Sequence, residues 1–308
     1  MNQDNKLKGH LASATAYTIF GLNIVFCKDI ANASVVPPAA LLGIRMCFAA
    51  AAFWFTGLFM PKEEVDRKDL WKIFIAAMIG LVSTQYSFLI AITKASSIDA
   101  SIVSALGPVM TMIVAAIFIK EPISGKKAAG VGISLIGVMT LIFTSLAIGK
   151  GKAVGGSEPM GLFLLFVNIL SFSTYLGVFR PLIKKYSVVT FMKWMFLFSA
   201  IVSLPISLPS FLTIDSSALE LKLVGEIAYL VILATFVSYF LIPIGQQNLR
   251  PTLVSMYNYV QPIIAVVISI ISGIDTLTWE KVIAIIFVFG GVAIVNSSKA
   301  AEDKTATP

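Results

Sequence analysis

The feature that most constrains this chain is the way apolar runs of about twenty residues follow one another almost without pause. A helix that crosses a bilayer needs about 20 mostly apolar residues, because each residue rises about 1.5 Å through a hydrocarbon layer of about 30 Å. Ten stretches satisfy this: His10–Ile30, Pro38–Met60, Leu70–Thr93, Ser97–Ile119, Gly125–Ala147, Met160–Ile183, Val188–Leu208, Ile227–Asn248, Pro251–Ser272 and Trp279–Ser297. Only 13% of the 308 residues are charged. A soluble domain carries about 25%, so a soluble fold would lack the charge to cover its surface. The fold expected is an all-α integral membrane protein with ten transmembrane helices.

The net charge of +7 does not point to nucleic acid, because the basic residues sit in short loops and no basic stretch is interleaved with aromatics. They read instead as topology signals. With the N-terminus in the cytoplasm, that side receives Lys62, Arg67, Lys68, Lys120, Arg180, Lys184 and Lys185 among others, and the outer side Lys28, Lys94, Lys150, Lys152, Lys222 and Lys281. The bias places both termini inside and requires an even number of spans. The apolar stretch Leu11–Cys27 exceeds the roughly 7–15 residues of a signal-peptide core and is interrupted downstream by Lys28 and Asp29, so it reads as a retained first helix. Cys27 and Cys47 lie in apolar runs without a Cys-x-x-Cys spacing, which supports neither a disulfide framework nor a zinc site.

The chain also repeats itself. Shifted by 154 positions, "ASIVSALGPVM" falls on "VSMYNYVQPII", so that Ser101 meets Ser255, Ser104 meets Asn258 and Pro108 meets Pro262. The expected divisions are residues 1–147 as a first repeat, 148–159 as a linker, 160–297 as a second repeat and 298–308 as a cytoplasmic tail. Five spans per repeat force the two copies into opposite orientations. Inverted repeats are frequent in secondary transporters, with the solute site at mid-depth between the halves.

The residues themselves resemble a known family. "GHLASATAYTIFGLNIVFCKDI" opens the first half. "AITKASSIDASIVSALGPVMTMIVAAIFIKEPISGKKAAGVGISLIGVMTLI" follows, with its small-residue start, mid-helix proline, Lys-Glu-Pro turn and Gly-rich fifth helix. "GLFLLFVNILSFSTYLGVFRPLIKKYS" and "VQPIIAVVI" come from the second half. In order and spacing the chain resembles the ten-helix EamA-type transporters of the drug/metabolite transporter superfamily, over nearly its whole length. Asp275-Thr276 departs from the acidic-Pro pair of the first half. The resemblance implies a central cavity, alternating access and export of small metabolites, often amino acids, from a bacterial-type inner membrane.

Within that frame the polar residues of the spans become candidates. Pro108 and Pro262 each free the carbonyl four residues back, at Ser104 and Asn258. Such broken backbone is tolerated at membrane depth where it is buried or lines a wet cavity. Ser101 and Ser104 form a small-residue stripe; Asn258, with Tyr259 beside it, offers hydrogen bonds and a ring. Packing between helices is the alternative use of these residues. Arg45 lies well inside the second span, where a charge costs about 2.5–3.5 kcal/mol on insertion scales; it could take a carboxylate with two parallel bonds, or snorkel outward. Asn23, Gln85, Tyr86, Tyr175 and Tyr239 complete the expected substrate-binding set, and Asn168, Gln246 and Gln247 are further polar residues in spans.

No acid sits mid-span, and the one histidine, His10, is at the membrane edge. There is no His-Glu-x-x-His and no paired acid cluster, so neither catalytic residues, a metal nor a cofactor is expected. The partners expected are the bilayer and a small solute, with the chain a monomer or homodimer. The function expected is export of a small neutral or zwitterionic metabolite, an amino acid first. A sugar-phosphate or nucleotide-sugar exchanger would require a second basic residue on the cavity; a membrane enzyme or sensor is the rival from another class.

Overall fold

The computed structural model describes residues 3–118, 124–148, 157–249, 254 and 257–297, and among them all regular structure is helical. The long elements are α1 (Gln3–Ala33), α2 (Pro38–Gly57), α3 (Arg67–Lys94), α4 (Ser97–Phe118), α5 (Gly125–Ile148), α6 (Pro159–Val178), α7 (Val188–Phe211), α8 (Leu221–Asn248), α9 (Val260–Ile271) and α10 (Trp279–Ser297). Among the described residues, α1–α4 and α6–α8 are long and apolar enough to cross a membrane. The expected run Pro251–Ser272 lies partly outside the described residues, as does the Lys-Glu-Pro turn at 120–122.

Local chemistry sets the starts. Inside a bilayer no water can satisfy a frayed backbone. Pro38 and Pro159 occupy the first turns of α2 and α6, where a proline's missing N–H goes unneeded. Ser96 Oγ accepts from the Asp99 N–H at 3.1 Å to cap α4. Ser187 Oγ accepts from the Thr190 N–H at 3.3 Å to cap α7. The first helix begins at Gln3, ahead of the apolar run, because its polar opening residues continue the same helix into the interface.

Three departures from simple spans matter. The helix of α4 breaks at Ala105–Leu106, just before Pro108, and the chain turns at Asn258–Tyr259 ahead of Pro262. Pro108 and Pro262 therefore lie in the first turn of the helical segments that follow these turns. What the sequence does not announce is a π turn in α3 at Met78–Ser83 and another in α8 at Ile232–Val237. Both start at positions 154 apart, the offset of the sequence repeat.

Packing follows a paired scheme. α5 packs on α10 and α2 on α7; α1 packs on α8 and α9, and α6 packs on α3 and α4. Small residues allow these approaches. Gly43 of α2 lies so close to Ser207 of α7 that a Cβ there would come within 2.6 Å, and Ser207 Oγ donates to the Ala39 carbonyl at 2.6 Å. Gly137 of α5 meets Ala284 and Val288 of α10, and Ser134 Oγ donates to the Val288 carbonyl at 3.2 Å. Large apolar side chains such as Phe55, Phe59, Leu212, Leu221 and Trp279 point outward, as they do on a lipid-facing surface.

Candidate functional site

The site is built around one charge. Arg45 stands two turns into α2 and is 2% exposed. Its Nε donates to Thr235 Oγ1 of α8 at 2.8 Å. Thr235 Oγ1 in turn donates to the Leu230 carbonyl, five residues back, at 2.7 Å. That long-range step is possible because the π turn widens the helix here. The guanidinium is thus held by its inner nitrogen, and Nη1 has no hydrogen-bond partner. Among the described residues no carboxylate pairs with it, whereas the buried charges Asp69, Asp275 and Lys281 all have ion-pair partners.

Arg45 faces a cavity with about 130 Å³ of water-accessible space. One water needs about 10–15 Å³ by the same measure, so the space is solute-sized. Tyr17, Phe20 and Asn23 of α1, Thr84, Gln85 and Phe88 of α3, Asn168, Phe172 and Ser173 of α6, and Tyr239 and Gln246 of α8 line it. The break of α4 contributes Ser104, Gly107, Pro108 and Thr111; Val254, Asn258 and Gln261 come from the opposing segment, and Arg180 from the short helix Arg180–Lys185. Gln246 Oε1 is buried without a partner.

The broken backbone is repaired from across the cavity. Asn258 Nδ2 donates to the Ser104 carbonyl at 2.9 Å, and Ser173 Oγ to the Gly107 carbonyl at 3.3 Å. A Cβ at Gly107 would come within 2.5 Å of Asn258 Nδ2, so only glycine admits this approach. Gln85 Nε2 donates to Tyr239 Oη at 3.2 Å. Asn168 Nδ2 donates to the Thr84 carbonyl at 2.7 Å, and Thr84 Oγ1 to the Ile79 carbonyl in the first π turn at 2.9 Å. Each π turn is therefore tied to a cavity side chain of the other half: Arg45 to that of α8, Asn168 to that of α3.

Of the residues expected from sequence, Asn23, Arg45, Gln85, Ser104, Pro108, Tyr239 and Asn258 line the cavity. The others are placed elsewhere. Tyr86 is about 100° round α3 from Gln85 and packs into the core. Ser101 is fully buried and spends its hydroxyl on the Ile98 carbonyl at 2.7 Å. Tyr175 is 1% exposed, its ring pressed on Gly80 of the π turn. Tyr259 turns toward Phe289 of α10, ring centres 6.0 Å apart, and Pro262 is buried at the start of α9. In these cases the residue type suits a site but the helical phase turns it away. Tyr17, Phe20, Phe88, Phe172 and Gln261 are lining residues that the sequence reading did not single out. Arg180 was counted there as a topology signal. Nothing in the sequence around Arg180 set it apart from the other basic residues at span ends.

Charges close the two ends. At the end where α1 starts, Lys185 Nζ contacts Asp66 at 2.7 Å and Asp69 at 2.6 Å, and Tyr186 Oη donates to Asp69 at 2.8 Å. Hydrogen bonds from Lys185 to Asp66 and Asp69 raise the lysine's pKa above its ordinary value. Burial opposes ionisation of Glu63 nearby, but hydrogen bonds from Ser187 and Thr190 hold its pKa below the usual range. His10 Nδ1 lies 2.8 Å from Tyr257 Oη. At the opposite end Lys281 pairs with Asp275 at 2.8 Å, Asp275 accepts from the Ile98 N–H at 2.9 Å, Ser157 Oγ donates to Asp99 at 2.5 Å, and Lys222 contacts Asp29. None of these charges lines the cavity, which extends from Arg45 toward Arg180 and Gln246, nearer the α1-start end.

Comparison with known proteins gives a consistent picture. The EamA-like transporter family matches twice, over residues 7–143 and 159–297. An uncharacterized transporter of Archaeoglobus fulgidus is 28% identical over 76% of this chain and 78% of its own length. The uncharacterized transporter YcxC of Bacillus subtilis is 24% identical over 100% of this chain and 98% of its own. A WAT1-related protein of Arabidopsis thaliana is 24% identical over 75% of this chain and 63% of its own. A solved crystal structure superposes over the whole of both chains with a TM-score of 0.63 at 17% identity, a likeness of fold alone.

Proposed function

This chain belongs to the EamA-like transporter family, and on that premise we propose that it is a secondary transporter that carries a small carboxylate-bearing metabolite through the cavity at Arg45 by alternating access. The observation that carries this reading is a buried guanidinium on the lining of a solute-sized cavity, with no carboxylate paired to it among the described residues. An unpaired charge at that depth is costly, and a solute carboxylate is the partner that would offset the cost. Nε is held by Thr235 and the Cys27 thiol lies against the guanidinium, so a solute carboxylate would bond the group through its outer nitrogens.

The architecture we propose is ten spans in two inverted halves, 1–147 and 160–297, joined by 148–159. Three features support it. The contacts of α1 with α8 and α9 have mates in those of α6 with α3 and α4. The π turns recur at an offset of 154. Residues 154 apart also touch one another, as Gln85 does Tyr239 and Asn258 does Ser104, which is what happens beside a two-fold axis. We place the chain in an inner membrane with both termini cytoplasmic, the orientation that the lysine and arginine bias supports. We read the direction as export, and an amino acid is one member of the solute class. Cavity-lining Asn23, Gln85, Tyr239 and Asn258 would contact the body of the solute.

A second reading has one observation in its favour. Arg180 adds a second guanidinium to the lining, as an exchanger of phosphorylated solutes would require. Counterflow in proteoliposomes, with labelled amino acids, organic acids, nucleosides, sugars and sugar phosphates, decides between them. Uptake of carboxylates supports the first reading; uptake confined to phosphates supports the second. If no solute moves against a protein-free control, the transport assignment itself fails.

A further inference from the structure

Resting on the transport reading above, we infer that the cavity takes an organic monocarboxylate with an apolar or aromatic body and discriminates against the zwitterionic amino acid of the same shape. The ground is the sign of the charges that face the solute. Arg45 and Arg180 both line the cavity, and no aspartate or glutamate does so among the described residues. Four acids elsewhere in the bundle are paired with lysines: Asp29 and Glu226 with Lys222, Asp275 with Lys281, and Asp69 with Lys185. A carboxylate bound at Arg45 is neutralised on entry. An ammonium one carbon away would be desolvated beside like charge with no anion to meet it.

Neutral oxygens on the lining, such as the amides of Asn23 and Gln85, can accept from an ammonium but do not neutralise it. Close to Arg45, the Thr235 hydroxyl already accepts from Nε, and the Tyr239 hydroxyl already accepts from Gln85. Among the described lining residues, the fully buried acceptor without a partner is Gln246 Oε1. It lies eleven residues beyond Thr235 on α8, a helical rise of about 16 Å. The two charged groups of an α-amino acid are separated by a single carbon and cannot span that distance. Aromatic faces such as those of Phe20 and Tyr239 attract cations, but the guanidinium on the same cavity repels the same cation. The rings of Tyr17, Phe20, Phe88 and Phe172 suit instead an uncharged body.

The test uses the full chain in proteoliposomes and pairs of solutes that differ by the amine alone: 3-phenylpropionate against L-phenylalanine, and propionate against L-alanine, with phenethylamine as the cation. The expected result is counterflow of the acids with KM at least about tenfold below that of the matched amino acids, and no movement of the amine. Arg45→Gln removes the preference, and Arg180→Gln raises the KM of the acid several-fold. Amino acids that move as well as or better than their matched acids overturn the inference and leave the transport reading standing. So does movement of sugar phosphates alone. If nothing in either panel moves, the transport reading falls and takes the inference with it.

Discussion

The side-chain amide of Asn258 donates to the carbonyl of Ser104 at 2.9 Å, and that carbonyl is the one Pro108 leaves without its helical partner. The two residues stand 154 apart, so each half of the repeat supplies one side of the bond. Removing the amide strands a buried carbonyl. Asn258→Ala should cost about 1–3 kcal/mol of stability, read as a lower unfolding midpoint in detergent. The cost should shrink in a Pro108→Ala background, where residue 108 regains an N–H that can reach Ser104. Strictly additive losses in the double-mutant cycle would refute the link.

Arg45 should depend on Thr235 for its aim. Thr235→Val keeps the size and removes the hydroxyl that accepts from Nε and donates to the Leu230 carbonyl. A hydrogen bond to a charged group contributes about 1.5–3 kcal/mol, so the KM for a transported carboxylate should rise roughly tenfold or more. Thr235→Ser should restore it. An unchanged KM together with a lowered unfolding midpoint would reduce Thr235 to a structural role.

Neighbours on α3 should behave differently. Gln85 lines the cavity and Tyr86 packs into the core. Gln85→Ala should therefore raise KM, while Tyr86→Phe should leave KM within about twofold, since surface or core swaps that keep shape usually cost less than about 1.5 kcal/mol. Equal effects on KM would show that Tyr86 also touches the solute.

The Lys185 contacts give a pH prediction. Asp66 and Asp69 raise the lysine's pKa above its ordinary value, so the stabilisation is fully present below the unfolded value of about 10.4. It is lost only as the pH climbs through the higher folded value. Lys185→Met should accordingly lower the unfolding midpoint by the same amount at pH 6 and at pH 8. A loss that disappears between those pH values would assign the effect to another group.

How much of this was legible in advance depends on the scale of the question. The apolar runs, the break at Pro108 and the repeat that brings Pro262 into register were all written in order along the chain. Arg45 could be picked out because a charge inside an apolar run needs a partner wherever the run ends up. Tyr86, Ser101, Tyr175 and Tyr259 were polar residues in the right spans, but one residue along a helix turns a side chain by about 100°. Facing the cavity or facing a neighbour is a question of rotation that composition does not carry. The π turns were hidden for a related reason: an extra residue in a helical turn is set by what the side chains find to bond with, as Thr84 finds the Ile79 carbonyl.

What the sequence determined by itself, then, is a membrane-embedded helical chain built of two similar halves, with one deep charge and two proline breaks. Those follow from composition, length and spacing, which are properties of the chain alone. The tertiary structure decided that Asn258 repairs the break at Pro108, that Thr235 holds Arg45, and that Arg180 joins Arg45 on the cavity. Each of these relations joins residues far apart in sequence. Hydrogen bonds act over about 3 Å, and only packing brings such distant residues that close.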